Sequence, residues 1–348
     1  MKILYGMGNR FGGSEMLSRF ISHLDPKHEL KIAAWDKASH TLSTVDWTLD
    51  SLFFNLINIR SQHRVETFGL KGQLRYNHHI TEFIKDLLEF EPDLVISDDE
   101  SYTACFANSF GIPLWYCSPL LLLNAWKINL GRNQVYRNCT NLQRYHSFFP
   151  KAEKYLVYSP LYDISFRPKI RAGFEWVKPY HLKIEKKEEI YDNMFIVHDL
   201  KREPILSKLF NSIDNSIYAS YNPVKLRNIK TCKINSEEYK DYLAKSKKIV
   251  ITGDTSHFAD AFYAEKPISI CPTVEKNTVP EMGVGIEMDI EGIVNATSIR
   301  NYNIGKDYGQ VEFMGNFATD ELNRNFIYNK KYLSVQKVKY LHEFIDDI

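Results

Sequence analysis

The sequence lacks most of the features that would assign it a special environment. Its five cysteines (Cys105, Cys117, Cys139, Cys232, Cys271) are odd in number and widely spaced, with no CxxC pair. That excludes a disulfide framework and a cysteine zinc site, and it fits free thiols in a reducing compartment. Charge of one sign is missing too: 44 Lys and Arg against 43 Asp and Glu leave a formal net charge of +1. A global polyelectrolyte surface is thereby excluded, although a local basic patch is not. No apolar run approaches the roughly 18 residues that a membrane span needs. The start of the chain shows no basic-then-apolar leader, so a cytoplasmic protein is expected. There is no internal repeat and no low-complexity tract. Asn138-Cys139-Thr140 and Asn295-Ala296-Thr297 match the glycosylation sequon, which carries no weight without secretion.

What remains is a 348-residue chain of ordinary globular composition, long enough for two cores. Lys2 to Met7 reads as a strand, Gly8-Asn9-Arg10-Phe11-Gly12-Gly13 as a glycine-rich loop, and Ser14 as a cap. The helix that follows has Met16, Leu17, Phe20, Ile21 and Leu24 on one apolar stripe, before the strand Leu30–Trp35. This βαβ opening predicts a parallel sheet. The loop has the glycine content of a phosphate cradle without the GxGxxG spacing, so an unliganded tight turn fits it equally well. A short helix is expected near Leu49–Ile59, a helix over Ile80–Phe90, a strand at Leu94–Ile96, a helix over Tyr102–Phe110 and a strand at Leu114–Cys117. Asp98 and Asp99 follow a strand, where a catalytic base sits in such folds; capping of the next helix is the competing role.

From Lys127 to Lys183 basic residues, among them Lys127, Arg132, Arg137 and Arg144, outnumber acids and alternate with aromatics. Positive charge beside aromatic faces suits a phosphate-bearing or polymeric partner, and a solvated basic surface over an aromatic core is the bland alternative. Tyr191-Asp192-Asn193 reads as a hinge. Beyond it strands at Met194–Val197 and Ile217–Ser220 and a helix over Ser236–Ala244 form a second alternating set, and an amphipathic helix over Lys331–Ile345 closes the chain.

The most specific stretch is Lys247–Pro272. A β-branched run (Ile249 to Thr252) leads into Gly253-Asp254-Thr255-Ser256, whose hydroxyls can cap a helix carrying Phe258, Ala261 and Phe262. Lys266-Pro267 ends that helix, and Ile268 to Ile270 is a strand. A glycine turn, a helix start and the carboxylate Asp260 thus gather at one end of a parallel sheet, where phosphates and riboses bind.

These residues resemble the nucleotide-sugar GT-B glycosyltransferases. Asp260 lies seven positions before Pro267, the family spacing, with Gly253, Thr255, Ser256 and His257 in the turn and Gly283-Val284-Gly285 where a glycine loop follows. The chain departs from the pattern at Asp260, more often glutamate, at Glu265, where the family has glycine, and at Asp254, which brings charge towards a diphosphate. The resemblance implies an α/β fold of two Rossmann-like domains facing a cleft. An acceptor-binding domain would span 1–190, a nucleotide-sugar domain 191–330, and a terminal helix at 331–348 would pack back on the first domain.

It also implies a donor site with Asp260 on the ribose, the amides of Thr255, Ser256 and His257 on the pyrophosphate, Gly12, Gly13, Gly253, Gly283 and Gly285 close to the donor, and Arg202 or Lys201 neutralising phosphate. Asp98 or Asp99 would be the base, with Glu15 as the other candidate. The donor would be a UDP-sugar, with no obligatory metal and no obligate protein partner. The acceptor would meet Lys127, Arg132, Arg137 and Arg144. Bacteriophage DNA glycosyltransferases share this fold and size, so hydroxymethylated pyrimidine in double-stranded DNA is the expected acceptor. Transfer to an envelope glycan or lipid-linked sugar, a nucleotide-sugar 2-epimerase, and a non-catalytic sugar- or DNA-binding protein are the alternatives.

Overall fold

The computed structural model describes residues 1–7, 12–35, 52–56, 84–99, 101–125, 151–163, 173–197, 213–227, 229–272, 274–279, 283–288, 290–301, 305–307 and 338–348. The first sheet is built from β1 (Lys2–Met7), β2 (Glu29–Trp35), β3 (Leu52–Leu56), β4 (Leu94–Asp98), β5 (Leu114–Cys117), β6 (Lys154–Tyr158) and β7 (Phe174–Val177). Its order is β3-β2-β1-β4-β5-β6-β7, and every pairing is parallel. The second sheet holds β8 (Asn193–Ile196), β9 (Ser216–Ser220), β10 (Lys230–Lys233), β11 (Ile249–Ile251), β12 (Ile268–Ile270) and β15 (Gly305–Asp307), in the order β10-β9-β8-β11-β12-β15 and again all parallel. Between β12 and β15, β13 (Val274–Val279) and β14 (Gly283–Met288) form an antiparallel hairpin.

Each sheet therefore winds outward in both directions from a central pair, β1 beside β4 and β8 beside β11. That reversal opens a crevice at the strands' carboxyl ends, the position at which doubly wound folds bind ligands.

Helices return the chain between neighbouring strands such as β4 and β5 or β11 and β12, so these pairs run parallel. The helices used below are α1 (Gly13–Ile21), α2 (Ser101–Phe110), α3 (Glu237–Lys245), α4 (Thr255–Tyr263), α5 (Ile290–Asn301) and α6 (Leu341–Asp346). On one face of the first sheet Met16, Leu17 and Phe20 of α1 and Leu341, Phe344 and Ile345 of α6 bury Ile3, Tyr5, Ile96, Trp115 and Tyr158. The chain's last helix is thus packed on the first domain. The other face belongs to an apolar cluster that continues into the second domain, joining Leu121 and Leu161 to Phe258, Ala261 and Val294.

The structure corrects several local expectations. Residues expected as a helix near Leu49–Ile59 contribute β3, since the apolar run Leu52-Phe53-Phe54 with its two aromatics suits a pleated strand beside β2. Gly283 and Gly285 lie in β14, paired with Val279 and Asn277, rather than in a loop. Ser14 sits inside α1, whose N-cap is Gly12. The described part of the basic stretch includes β6 and β7, and its Tyr158 and Tyr180 are buried. Of the terminal helix expected over Lys331–Ile345, Val338 precedes α6 outside any helix, and residues 331–337 lie outside the described residues, as do Lys201 and Arg202.

Candidate active site

The site forms where the two switch points face each other. In the first domain Met7, the last residue of β1, pairs with Asp98, the last of β4. The chain re-enters at Gly12, in the left-handed region with φ 71, and turns into α1, so Gly13, Ser14 and Glu15 lie buried in its first turn. In the second domain β11 runs through buried Thr252, Gly253 and Asp254 into α4. Asp254 is the N-cap of α4: its Oδ1 accepts the His257 amide at 3.0 Å and the Ser256 hydroxyl at 3.0 Å. This carboxylate completes the first turn better than the expected hydroxyls because it takes several donors at once. The two turns abut, for a Cβ placed on Gly12 would lie 2.4 Å from Asp254 Oδ1 and 3.0 Å from Ser256 Oγ.

The remaining groups close around this contact. His257 Nδ1 lies 2.8 Å from Asp254 Oδ2. Burial works against a charged imidazole, but Asp254, with Glu15 and Asp260 farther off, more than offsets it and holds the His257 pKa above its ordinary value. The Thr255 amide donates to Glu291 Oε1 at 2.6 Å, and Asn295 Nδ2 donates to the Gly253 carbonyl at 2.7 Å, so α5 braces the start of α4. From the first domain Glu15 Oε1 accepts from Asn235 Nδ2 at 3.2 Å. Burial, and then the nearby Glu15 and Asp254 charges, push the Tyr221 phenol well above its ordinary range.

Asp260, the ribose ligand implied by the resemblance, is engaged within the protein. Its side chain is fully buried, and Arg19 grips it with Nη1 on Oδ1 and Nη2 on Oδ2, both at 2.8 Å. The Leu182 amide adds a third bond to Oδ1 at 2.7 Å. Both oxygens are therefore spent on holding the first domain and the connecting segment to α4. A ribose would have to displace a bidentate guanidinium, the strongest form of such a pair.

The two aspartates after β4 also part company. Asp98 is fully buried on the side of the sheet occupied by Tyr5, and the Tyr5 hydroxyl donates to its Oδ2 at 2.9 Å. Asp99, just beyond the strand at φ 52, is half-buried, and the Tyr116 hydroxyl donates to its Oδ1 at 3.3 Å. Alternation along a strand separates neighbours in this way. The switch-point crevice therefore gathers Gly12, Gly13, Glu15, Gly253, Thr255, Ser256 and His257, while Gly283 and Gly285 lie on the separate hairpin. Lys127, Arg132, Arg137, Arg144 and Arg202 lie outside the described residues. Sequence reasoning missed Arg19, Asn235, Glu291 and Asn295. For Arg19 a signal existed: Glu15 and Arg19 are an i, i+4 pair beside an otherwise apolar stripe. Among the described residues no group of three or more His, Cys, Asp or Glu is arranged to hold a metal ion.

Residues 1–171 match the family model described as glycosyl transferase family 1. The enzyme class of the chain is glycosyltransferase. Solved structures agree on the fold across the whole chain. The spinosyn rhamnosyltransferase SpnG superposes with a TM-score of 0.59 at 10% identity, covering 100% of this chain and 99% of that one. The glycosyltransferase SnogD from Streptomyces nogalater gives 0.58 at 11% identity, over 100% and 98%. SsfS6 from Streptomyces sp. SF2575, solved with thymidine diphosphate, gives 0.57 at 12% identity, over 100% of both chains. No curated protein matches in sequence. The expected two-domain GT-B architecture holds. Among the described residues no helix is long and apolar enough to cross a membrane.

Proposed function

We propose that this glycosyltransferase binds a nucleoside diphosphate sugar at the start of α4 and transfers the sugar to a hydroxyl of an acceptor held by the first domain. The observation that carries the reading is the abutment of the Gly12 turn and the Asp254-capped helix start, the two switch points of one cleft. The positive end of α4 and the His257 imidazole, oriented by Asp254, face a leaving diphosphate, while the Thr255 and His257 amides are held by Glu291 and Asp254. Asp254 and Ser256 lie buried against Gly12, so the donor enters when the domains part. The base is a carboxylate of the first domain. Asp99, half-exposed at the carboxyl end of its sheet, suits the role better than Asp98, which is buried against Tyr5. Glu15 lies within the seam, bonded to Asn235.

The finer readings are a UDP-sugar donor and hydroxymethylated DNA as acceptor. The DNA reading rests on the basic stretch 127–183, part of whose aromatics serve the core. The test incubates the protein with UDP- and TDP-sugars against hydroxymethylated DNA, glycan, lipid-linked and small hydroxylated acceptors, and follows nucleotide release. Release that depends on an acceptor and disappears in Asp99→Asn is the expected result. No release with any donor, together with no binding of either nucleoside diphosphate, refutes the reading. Release with every acceptor class except DNA removes the DNA acceptor alone.

A further inference from the structure

The seam between the domains runs along one side of α1. Gly12, Glu15 and Arg19 recur at helical spacing, and each meets the second domain: Gly12 at Asp254 and Ser256, Glu15 at Asn235, Arg19 at Asp260. The three contacts are unequal. The first is van der Waals approach, and the second is one bond of 3.2 Å. The third is bidentate and buried, and it draws in the connecting segment through the Leu182 amide on Asp260 and the Tyr180 carbonyl, which accepts from Arg19 Nη1 at 3.1 Å. Burial works against the guanidinium charge, yet Asp260 keeps it firmly protonated. Three parts of the chain thus converge on one carboxylate.

We infer that Arg19 is a positioning residue for sugar transfer: by clamping Asp260 it fixes α1 against α4 and so sets the separation of the two helix starts. This rests on the reading that the donor lies at the start of α4 and the acceptor on the first domain. The lever is short. Arg19 lies about 9 Å and Asp260 about 7.5 Å along its helix from the first residue, a mean of about 8 Å at 1.5 Å per residue. A relative tilt of about 10° at the clamp moves the helix starts by about 1.4 Å over that length. Misplacement of about 1 Å between reacting groups costs on the order of 100-fold in rate. Donor contacts, in contrast, belong to the second domain, so loosening the clamp does not weaken donor binding and eases entry. Asp260 thereby contributes to catalysis without touching the donor.

The experiment uses the full chain with Arg19→Ala, Arg19→Lys and Asp260→Asn. The clamp predicts nucleoside diphosphate affinity, titrated calorimetrically with UDP and TDP, as tight as in the wild type or tighter. It predicts kcat lower by about 100-fold in Arg19→Ala, an intermediate loss with lysine's single-point contact, and partial rescue of Arg19→Ala by added guanidinium. Small-angle scattering of Arg19→Ala shows a larger and more heterogeneous radius. Removing one partner leaves a buried charge unpaired, which can prevent folding. Arg19→Met combined with Asp260→Leu removes both charges and keeps the site packed. That pair shows the same scattering change and the same kcat loss if orientation is what the clamp provides. Wild-type scattering and kcat in the pair overturn the inference. So does an Asp260→Asn protein that loses about tenfold or more in nucleotide affinity while its kcat is kept, the signature of a ribose ligand. If no variant and no wild-type protein turns over any donor, the transfer reading fails, and the scattering comparison still decides whether the clamp sets the domain separation.

Discussion

Gly12→Ala isolates the contact between the two switch points, because the fold supplies its control. Gly12 and Gly111 both lie in the left-handed region, at φ 71 and φ 66. An alanine there costs about 1–2 kcal/mol in backbone conformation alone. At Gly111, just past α2, a Cβ meets nothing within 4 Å, so that cost is the whole effect. At Gly12 the Cβ would stand 2.4 Å from Asp254 Oδ1 and 3.0 Å from its Cγ. This carboxylate has no slack, since it holds the His257 amide, the His257 ring and the Ser256 hydroxyl. Either it leaves the N-cap, a further loss of about 0.5–2 kcal/mol, or the domains separate. The expected destabilisation is about 3 kcal/mol for Gly12→Ala and about 1.5 kcal/mol for Gly111→Ala. At roughly 2–4 °C per kcal/mol for domains of this size, differential scanning calorimetry should read melting shifts of about 9 °C and about 4 °C. Sugar transfer should fall in Gly12→Ala and stay at the wild-type level in Gly111→Ala. Equal shifts with unchanged transfer in both would show that the turns do not meet under load, and the seam as described would be refuted.

Three other outcomes follow from particular contacts. Tyr5→Phe removes one buried hydrogen bond to Asp98 and should cost about 1.5–3 kcal/mol in urea unfolding; no loss would mean that Asp98 is held by other groups. Ile345→Ala opens a cavity where α6 is buried against the first sheet and should cost about 2–4 kcal/mol, a chemical-denaturation measurement that a detached terminal helix would not register. His257 has a folded pKa raised above its ordinary 6.5. Its contribution to stability is therefore fully present below 6.5 and is lost as pH rises through the folded value. Stability measured from pH 6 upward should decline in the wild type and flatten in His257→Gln; a parallel decline in both would assign the pH dependence to another group.

Much of the fold was legible because apolar, β-branched runs separated by helical stripes dictate parallel pairing. Lys2–Met7, Leu94–Ile96, Leu114–Cys117, Ile217–Ser220 and Ile268–Ile270 all read as strands and lie in strands, and the run Ile249–Thr252 holds the strand Ile249–Ile251. The repeated alternation implied two winding domains. Strands with polar residues were illegible: β10 (KTCK) and β15 (GKD) carry little apolar signal, and pairing with a buried neighbour makes them strands. The Leu52–Leu56 run misled because a five-residue, mostly apolar segment fits a helix or a strand until β2 stands beside it. Glu265, noted as standing where the related pattern has glycine, does adopt a glycine-like φ of 56.

By itself, the sequence determined that strand ends, helix starts and carboxylates come together at Gly12–Glu15, Asp98–Asp99 and Gly253–Asp260, since local spacing controls which residues follow a strand and open a helix. Only the tertiary structure decided what each carboxylate faces. Asp98 and Asp99 are neighbours in sequence and are parted by the alternation of the strand, one under the sheet and the other at its end. Asp260 stands at the spacing of a ribose ligand, but its partner is 241 positions away on α1. A buried carboxylate takes the partner that best offsets its desolvation, and the bidentate Arg19 meets that need. That choice depends on how two domains dock, a property that no window of the sequence contains.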